Sequence, residues 1–283
     1  MHLCTCALRL FARAHLRTRA LAHLAACRTG LELPEAVRYL ILSDIHANLE
    51  ALEAVLDAAP DGTWDHAVVL GDLVGYGASP NPVIDLVRAL NPIAIIRGNH
   101  DKAACGIEDG SNFNHVARVA ALWTGESLTS ENREFLRSLP AGPVTIDEHV
   151  EICHGSPFDE DHYIFDTDDA RRALDVGERP LCLFGHTHLP VVFRRVGDTY
   201  DGFLPEGSVD TLLSIEPGIR YMVNPGSVGQ PRDGDPRAAF AIYDSRGPEV
   251  VLRRVHYPVD AAQRRIIGAG LPASLANRLA VGR

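Results

Sequence analysis

No stretch of the 283 residues approaches the roughly 20 consecutive apolar side chains that a bilayer-spanning helix needs, so a membrane partner is not expected. Internal repeats of the solenoid kind are missing, and so is any low-complexity linker, which points to one domain for the body of the chain. The six cysteines show no repeated pairing of the zinc-knuckle type: Cys4, Cys6 and Cys27 fall near the start, while Cys105, Cys153 and Cys182 are scattered through the body. In a chain this large that usage fits reduced thiols and a cytoplasmic protein better than a disulfide frame. Basic charge is also short, with 27 Lys and Arg against 37 Asp and Glu. The deficit is deepest in the body, because residues 1–36 hold five Arg and two acids and leave 22 basic and 35 acidic residues behind them. Such a body repels a nucleic-acid backbone, so stable nucleic-acid binding is not expected.

Residues 1–36 are rich in Arg, Ala and Leu but lack a secretory cleavage pattern and a sustained apolar centre. An abrupt strand-like run opens at Val37, which suits an alternative start of translation. The expectation is that residues 1–36 are disordered or not made in the cell, a reading that a native mass beginning at residue 1 would refute.

From Val37 the pattern alternates buried strand, polar loop and amphipathic helix. Strands are expected at 39–43, 67–70 and 92–96, with helices at 47–59 and 81–90 between them. Pro82 suits the first turn of the second helix. This order argues for parallel pairing with right-handed crossovers. Residues 112–139 read as two helices, the second capped by Thr129 or Ser130 and stopped before Pro140. Shorter strands follow at 144–146, 150–153, 181–184, 191–196, 208–214, 220–223, 237–243 and 249–255, with a helix at 166–174 and a closing pair at 259–267 and 272–279. The expected fold is therefore α/β, with two packed sheets flanked by helices.

The polar loop Arg97-Gly98-Asn99-His100-Asp101 leaves the third strand at its carboxyl end, where ligands collect in open α/β sheets. Alone it could be a turn with a capping Asp and a surface His. Four more stretches have the same placement after strands: Ser43-Asp44-Ile45-His46, Gly71-Asp72, Cys153-His154-Gly155-Ser156 and Gly185-His186-Thr187-His188. Two-residue spacing in extended backbone would put Asp44 and His46 on one side, and likewise His186 and His188, so that each pair grips one cluster. Taken together the five stretches predict a metal site. Asp, Asn and His donors without Cys suit Mn, Fe, Zn or Ni rather than Ca.

In this order the stretches resemble the signature of the calcineurin-like metallophosphoesterases, D-x-H, GD, GNH[DE], H and GHxH, over about residues 38–256. The resemblance implies two mixed β-sheets with helices on both outer sides and two divalent ions bridged by Asp72, Mn first among the candidates. Asp44, His46, Asp72 and His188 would hold one ion, and Asp72, Asn99, His154 and His186 the other. A hydroxide shared by the ions would then attack phosphorus in a phosphomonoester or phosphodiester. By the same likeness His100 would stabilise the transition state or protonate the leaving group, with Asp101 orienting its ring.

Phosphoprotein phosphatases and diadenosine tetraphosphatases resemble GDxVDRG after the second strand, whereas this chain places Gly75 and Tyr76 where that Asp and Arg would be. The departure favours the small prokaryotic phosphoesterases, acting on a small phosphorylated or nucleotide substrate. Tyr76 could stack on a base or aryl leaving group, or simply pack in its Gly-rich loop. Asn224-Pro225-Gly226-Ser227 occurs in small members of the family at this place, and Arg232 just beyond could supply the missing phosphate contact or remain a solvated turn residue. A catalytically silent metal-binding scaffold is the non-enzymatic alternative, and a nuclease is a third class that the acidic body disfavours.

Overall fold

The computed structural model describes residues 36–207 and 209–283. Val37–Arg283 forms one compact unit. The N-terminal segment read above as a dispensable leader lies outside the described residues, as do Cys4, Cys6 and Cys27.

The chain opens with β1 (Arg38–Leu42), whose period-two pattern sends alternate side chains to opposite faces. Tyr39 and Ile41 enter a core between the two sheets, while Leu40 and Leu42 face a core under helices. Helix α1 (Leu49–Ala58) follows, and Asn48 caps it by accepting a hydrogen bond from the Ala51 amide at 3.2 Å. After β2 (His66–Val69) comes α2 (Pro80–Ala89), with proline at its first position, where no amide donor is needed. Then β3 (Ala94–Ile95) leads into α3 (Asn99–Cys105). Helices α4 (His115–Ser127) and α5 (Ser130–Ser138) complete this half, the second capped by Thr129 as expected.

The second half supplies β4 (Val144–Thr145), β5 (Val150–Ile152), α6 (Thr167–Val176), β6 (Leu181–Leu183), β7 (Val191–Val196), β8 (Thr199–Phe203), β9 (Thr211–Ser214), β10 (Arg220–Asn224), β11 (Ala238–Asp244) and β12 (Glu249–Val255). Helices α7 (Val259–Gly268) and α8 (Ala273–Leu279) close the chain. The first sheet runs β3-β2-β1-β11-β12-β9 and the second β4-β5-β6-β10-β7-β8. Both are mixed, because parallel β1-β2-β3 and β5-β6-β10 are flanked by antiparallel neighbours.

Between the sheets Tyr39, Ile41, Val68, Leu70, Ile152, Leu183, Val223 and Tyr243 form a continuous apolar layer. Outside the first sheet, the helices bury Leu52, Val83, Ala120, Ile266 and Leu279 against Leu40, Val69 and Phe240. Helix α6 covers the other sheet with Ala170, Ala173 and Leu174 against Cys182, Phe193 and Met222. The two packed sheets flanked by helices are thus present.

Two elements depart from the expectation. The loop expected at 97–101 passes at Asn99 into α3, because Asp101 at its third position accepts a hydrogen bond from the Gly98 amide at 3.0 Å and caps the first turn. Strand β8 had no apolar signal to reveal it: it is a largely exposed edge strand paired with β7, and Gly197, at φ +59°, turns the hairpin.

Candidate metal centre

Parallel strands point their carboxyl ends the same way, so β1, β2 and β3 deliver Asp44, His46, Asp72 and Asn99 to the edge where β5 and β6 deliver His154, His186 and His188. The backbone that presents them is not extended. Asp44, His46, Asp72, His186 and His188 have φ of 52°, 50°, 52°, 68° and 60°, in the left-handed region that L side chains adopt only under constraint. The constraint is visible: the amides of Asp44, His46 and Ala47 donate to the carbonyls of Gly71, Asp72 and Leu73 at 3.1, 3.0 and 2.9 Å. These bonds zip the loop after β1 to the loop after β2. The extended-backbone rationale for the paired spacing is therefore wrong, and the consequence differs too, since His186 and His188 serve different clusters.

One donor atom from each of Asp44, His46, Asp72 and His188 lies within 4.8 Å of the others, and the same holds for Asp72, His154 and His186. Asp72 belongs to both groups. Asn99 joins the second, its Oδ1 standing 3.3 Å from His154 Nε2. All seven side chains predicted as ligands converge on this one edge.

The ring nitrogens show that this donor set fits cations. His46, His154 and His188 each direct Nδ1 at a backbone carbonyl, those of Val74, Leu70 and Gln230, at 3.0, 2.8 and 2.6 Å. A carbonyl only accepts, so each Nδ1 carries the hydrogen and, in the neutral ring, each Nε2 carries a lone pair. His186 is reversed: its Nε2 faces the Asp161 carbonyl at 3.1 Å, leaving Nδ1 free. Yet His46 Nε2 and His188 Nε2 face each other at 3.0 Å, and His186 Nδ1 faces His154 Nε2 at 3.1 Å. Neutral rings that meet lone pair to lone pair need a positive charge between them, from a metal ion or a proton. Backbone carbonyls that fix the tautomer of a ligating His are a usual support of metal centres.

The charges agree. Burial holds the imidazoles of His46, His186 and His188 well below their ordinary range, so they stand as neutral donors. For His154 burial also favours the neutral ring, but the Asp72 carboxylate outweighs it and raises the imidazolium to about 10. The same pair acts on Asp72, where burial opposes ionisation and the His154 charge prevails, keeping the carboxyl well below its usual range. Burial pushes Asp44 up to about 6 even though Ser43 Oγ donates to it at 2.5 Å.

His100 lies beside the first group, its ring centroid 5.0 Å from that of His46 and 4.6 Å from that of Phe113. Burial lowers its imidazole to about 4, and its Nδ1 has no hydrogen-bond partner. Asp101 does not aim that ring. Its carboxylate accepts from the amides of Gly98 and Val74, at 3.0 and 3.2 Å, and so fastens α3 to the loop carrying Asp72. Burial and then the charge of Asp72 push this carboxyl up to about 7. Gly98 permits the same close approach, because a Cβ there would fall on the Asp72 carboxylate.

Tyr76 is 8% exposed and wedged between rings, 4.7 Å from His46 and 4.3 Å from His100 by centroid. Packing therefore occupies much of the surface that a substrate ring would need. Arg232 reaches Tyr76 from the loop after β10, its guanidinium 3.4 Å from the phenol oxygen. The other aromatic and basic side chains near the site have structural partners: Arg97 pairs with Glu160 at 2.9 Å, and Phe158 lies beneath Arg172. Tyr163, 41% exposed, stacks on His186 at 3.7 Å.

Sequence reasoning missed Lys102. Its side chain is 2% exposed, and its ammonium meets Asp161, Glu108 and Glu160 at 2.6, 2.8 and 3.2 Å. Asp161 is the residue whose carbonyl fixes His186, so the cluster ties α3 to the second ligand group. The acidic run Asp159-Glu160-Asp161 was the available signal, but its cation lies 58 residues away and nothing local joins them.

Two four-donor groups sharing a carboxylate, set between mixed sheets with helices outside, define a dinuclear metal-site protein of the phosphoesterase type. Residues 37–247 match the calcineurin-like phosphoesterase superfamily domain, and the chain belongs to that family. It is similar to a metallophosphoesterase from Sphaerobacter thermophilus, at 42% identity and a TM-score of 0.78 over 88% of this chain and 100% of that one. It is 36% identical over 250 residues to the uncharacterized protein MJ0912 of Methanocaldococcus jannaschii, covering 86% of this chain and 97% of the relative. Phosphodiesterase YfcE of Escherichia coli is 24% identical over 218 residues, 74% of this chain and 88% of its own. No helix among the described residues is long and apolar enough to cross a membrane.

Proposed function

We propose that the chain is a two-metal phosphoesterase that hydrolyses small phosphomonoesters or phosphodiesters, nucleotides among them, in the cytoplasm. The observation that carries this reading is the sharing of Asp72 by two buried groups whose imidazoles face one another with fixed lone pairs. Asp44, His46, Asp72 and His188 would hold one divalent ion, and Asp72, Asn99, His154 and His186 the other. Such a pair acidifies a water nucleophile and offsets the charge of the phosphoryl oxygens, and with these donors Mn is the first candidate, followed by Fe, Zn and Ni.

The protein's own groups do the rest. Asp72 keeps the two groups in register through its buried carboxylate, and the carbonyls of Val74, Leu70, Asp161 and Gln230 keep every imidazole in the tautomer that presents its lone pair. His100, neutral and buried, would stabilise the leaving oxygen by donating a hydrogen bond from its ring N–H, and the proton that oxygen takes up would come from solvent. Asp101 is a positioning residue that holds α3, and hence His100 and Asn99, against the loop of Asp72.

The family membership and the phosphodiesterase activity in the name of the YfcE relative support a hydrolase. The acidic body argues against a long nucleic acid as substrate. Every residue invoked lies within the compact unit 37–283, so this reading assigns no role to residues 1–36. The test is to load the purified chain with Mn, count bound metal by mass spectrometry, and assay p-nitrophenyl phosphate, bis(p-nitrophenyl) phosphate and single-stranded DNA. Two ions per chain with hydrolysis of either aryl ester, lost on chelation and restored by metal, is the expected result. Two ions with no hydrolysis of any substrate would favour the silent scaffold instead.

A further inference from the structure

Many arginines of this protein pair with carboxylates, while others, Arg133 and Arg220 among them, donate to backbone carbonyls. Arg38 pairs with Asp65, Arg194 with Asp201, Arg253 with Asp210 and Arg265 with Glu50. At the rim of the metal centre two arginines meet over one amide instead. Arg232, from the loop after β10, and Arg278, from α8, share a single neutral acceptor: both guanidiniums donate to Gln230 Oε1, at 3.1 and 3.2 Å. Their charged carbons stand 5.7 and 5.9 Å from the Tyr76 ring. Arg232 also donates to the Tyr76 hydroxyl, and Arg278 to the main-chain oxygen of the last residue, Arg283. Among the described residues no carboxylate side chain pairs with either one, and the Nε of Arg232 is buried with no partner at all.

Two like charges crowded around one amide oxygen repel each other, and a half-buried guanidinium with an unused donor has lost hydration without replacement. Burial, followed by the charge of Arg232, lowers the Arg278 guanidinium from its ordinary value. A bound anion would relieve each of these deficits at once. The location says which anion. Tyr76 touches His46 on one side and the arginines on the other, so the pair stands one aromatic ring away from the first ligand group. The charge of Arg232 is felt at Asp44, His46, His100 and His188, and those of Arg232 and Arg278 at Tyr76. Arg278 also lies past residues 37–247, the part of the chain that matches the family domain, so it belongs to none of the five metal-site stretches.

We propose that Arg232 and Arg278 form a second anion subsite beside the metal centre, taking a charged group of the substrate other than the phosphoryl group that is cleaved. The substrate class is then a phosphoester with two anionic groups, such as a nucleoside polyphosphate or a bisphosphate. This rests on the two-metal reading and narrows it. Gln230 sets the two forks, since its side-chain oxygen holds both guanidiniums while its backbone carbonyl fixes His188. The second anion is thereby kept in register with the first ligand group.

The experiment uses the full chain loaded with Mn, freed of excess metal, and two probes that hydrolysis cannot consume: propylphosphonate, with one anionic group, and propane-1,3-diphosphonate, with two. Calorimetry gives the ratio of their dissociation constants. The diphosphonate should bind about tenfold or more tightly in the wild type, the worth of one charge-assisted contact. In Arg278→Gln and in Arg232→Gln that advantage should fall to about the twofold expected for a probe with two equivalent ends. Metal content, measured on the same samples, should stay at two ions. A wild-type ratio near two would overturn the subsite whether or not the variants fold. Equal weakening of both probes in the variants would also overturn it, since the arginines would then be holding the metal-bound group itself. Failure of the wild type to take up metal would instead sink the two-metal reading, and the subsite with it.

Discussion

Replacing Lys102 by Met keeps an unbranched stem of similar length and removes one buried charge. Three carboxylates lose their common cation. Removing one partner of a buried ion pair costs about 3–5 kcal/mol when the remaining charge stays dry. Here the side chains of Asp161 and Glu108 are both 43% exposed and can be rehydrated, and Glu160, at 20%, stays largely enclosed but keeps the guanidinium of Arg97 at 2.9 Å. The expected loss is therefore about 1–2 kcal/mol, or roughly 0.5 M in the urea midpoint for a chain of this size. The same change releases Asp161, whose carbonyl fixes the tautomer of His186. Loss of such a support weakens metal binding by about 10- to 100-fold, and it should do so at the group of Asp72, His154 and His186. The group of Asp44, His46 and His188 is anchored by Val74, Gln230 and Gly71 and should keep its affinity. A two-site calorimetric isotherm reads both constants. Equal weakening at the two sites, or unaltered metal binding with reduced stability, would refute the link from Lys102 through Asp161 to His186.

The pH dependence of this cluster has a definite sign. The Glu160 carboxyl, which burial raises but Arg97 and Lys102 lower further, ends below its ordinary value. Its contribution is present above the unfolded carboxylate range and is lost as pH falls through the folded value. The Lys102 ammonium, which burial lowers but Asp161 and Glu108 raise further, ends above its ordinary value, so its share is complete below the unfolded value and fades only in alkali. Asp161 opposes the trend, because burial raises it. The stability gap between wild type and Lys102→Met should therefore be widest near neutrality and narrow in acid.

Other perturbations separate the remaining roles. His100→Ala should keep two metals and lower kcat by about 10²- to 10⁴-fold, as counted metal and steady-state rates will show; parallel loss of metal would make His100 a ligand instead. Gly98→Ala drives a methyl group onto the Asp72 carboxylate, so both metal affinities should fall together. Loss of one alone would show that Asp72 does not serve both groups. Asn48→Ala removes the cap on α1 and the bonds from Nδ2 to the Gly229 carbonyl and the Tyr257 hydroxyl, at 2.8 and 3.3 Å. The cost is about 2–4 kcal/mol of unfolding free energy, read by denaturant titration. A change below about 0.5 kcal/mol, the level of an ordinary surface substitution, would mean that the loop after β10 is held without it.

What was legible in the sequence follows from the range of the forces involved. The strands that carry the candidate donors are short apolar runs followed at once by polar residues, and that local contrast marks Asp44, Asp72, Asn99, His154 and His186 in the sequence. The class of fold came from the same rhythm of strands and helices. Conformation at the ligands was not legible, because left-handed backbone at Asp44, His46, Asp72, His186 and His188 is imposed by hydrogen bonds between distant loops and not by the residues' own preference. Asp101 was misread for a related reason: an acid three residues after Gly98 serves as the orienter of a neighbouring His or as a helix cap, and only the Gly98 and Val74 amides decide between them.

Charge was the least legible property, and the one with most bearing on function. Net charge treats all acids alike, yet the structure spends them unevenly. Side-chain carboxylates neutralise Lys102 and many arginines, while among the described residues none pairs with Arg232 or Arg278 at the rim of the metal centre. An acidic protein can hold a dianionic substrate when its unpaired cations gather where that substrate binds, since at one ring's distance their field outweighs a diffuse and solvent-screened negative surface. That argument also sets an expectation for salt. Added salt should weaken the diphosphonate more than the monophosphonate, because the second anion meets half-exposed guanidiniums whereas the first meets a buried centre. A ratio independent of salt from about 20 to 200 mM would show that the second group adds no electrostatic contact.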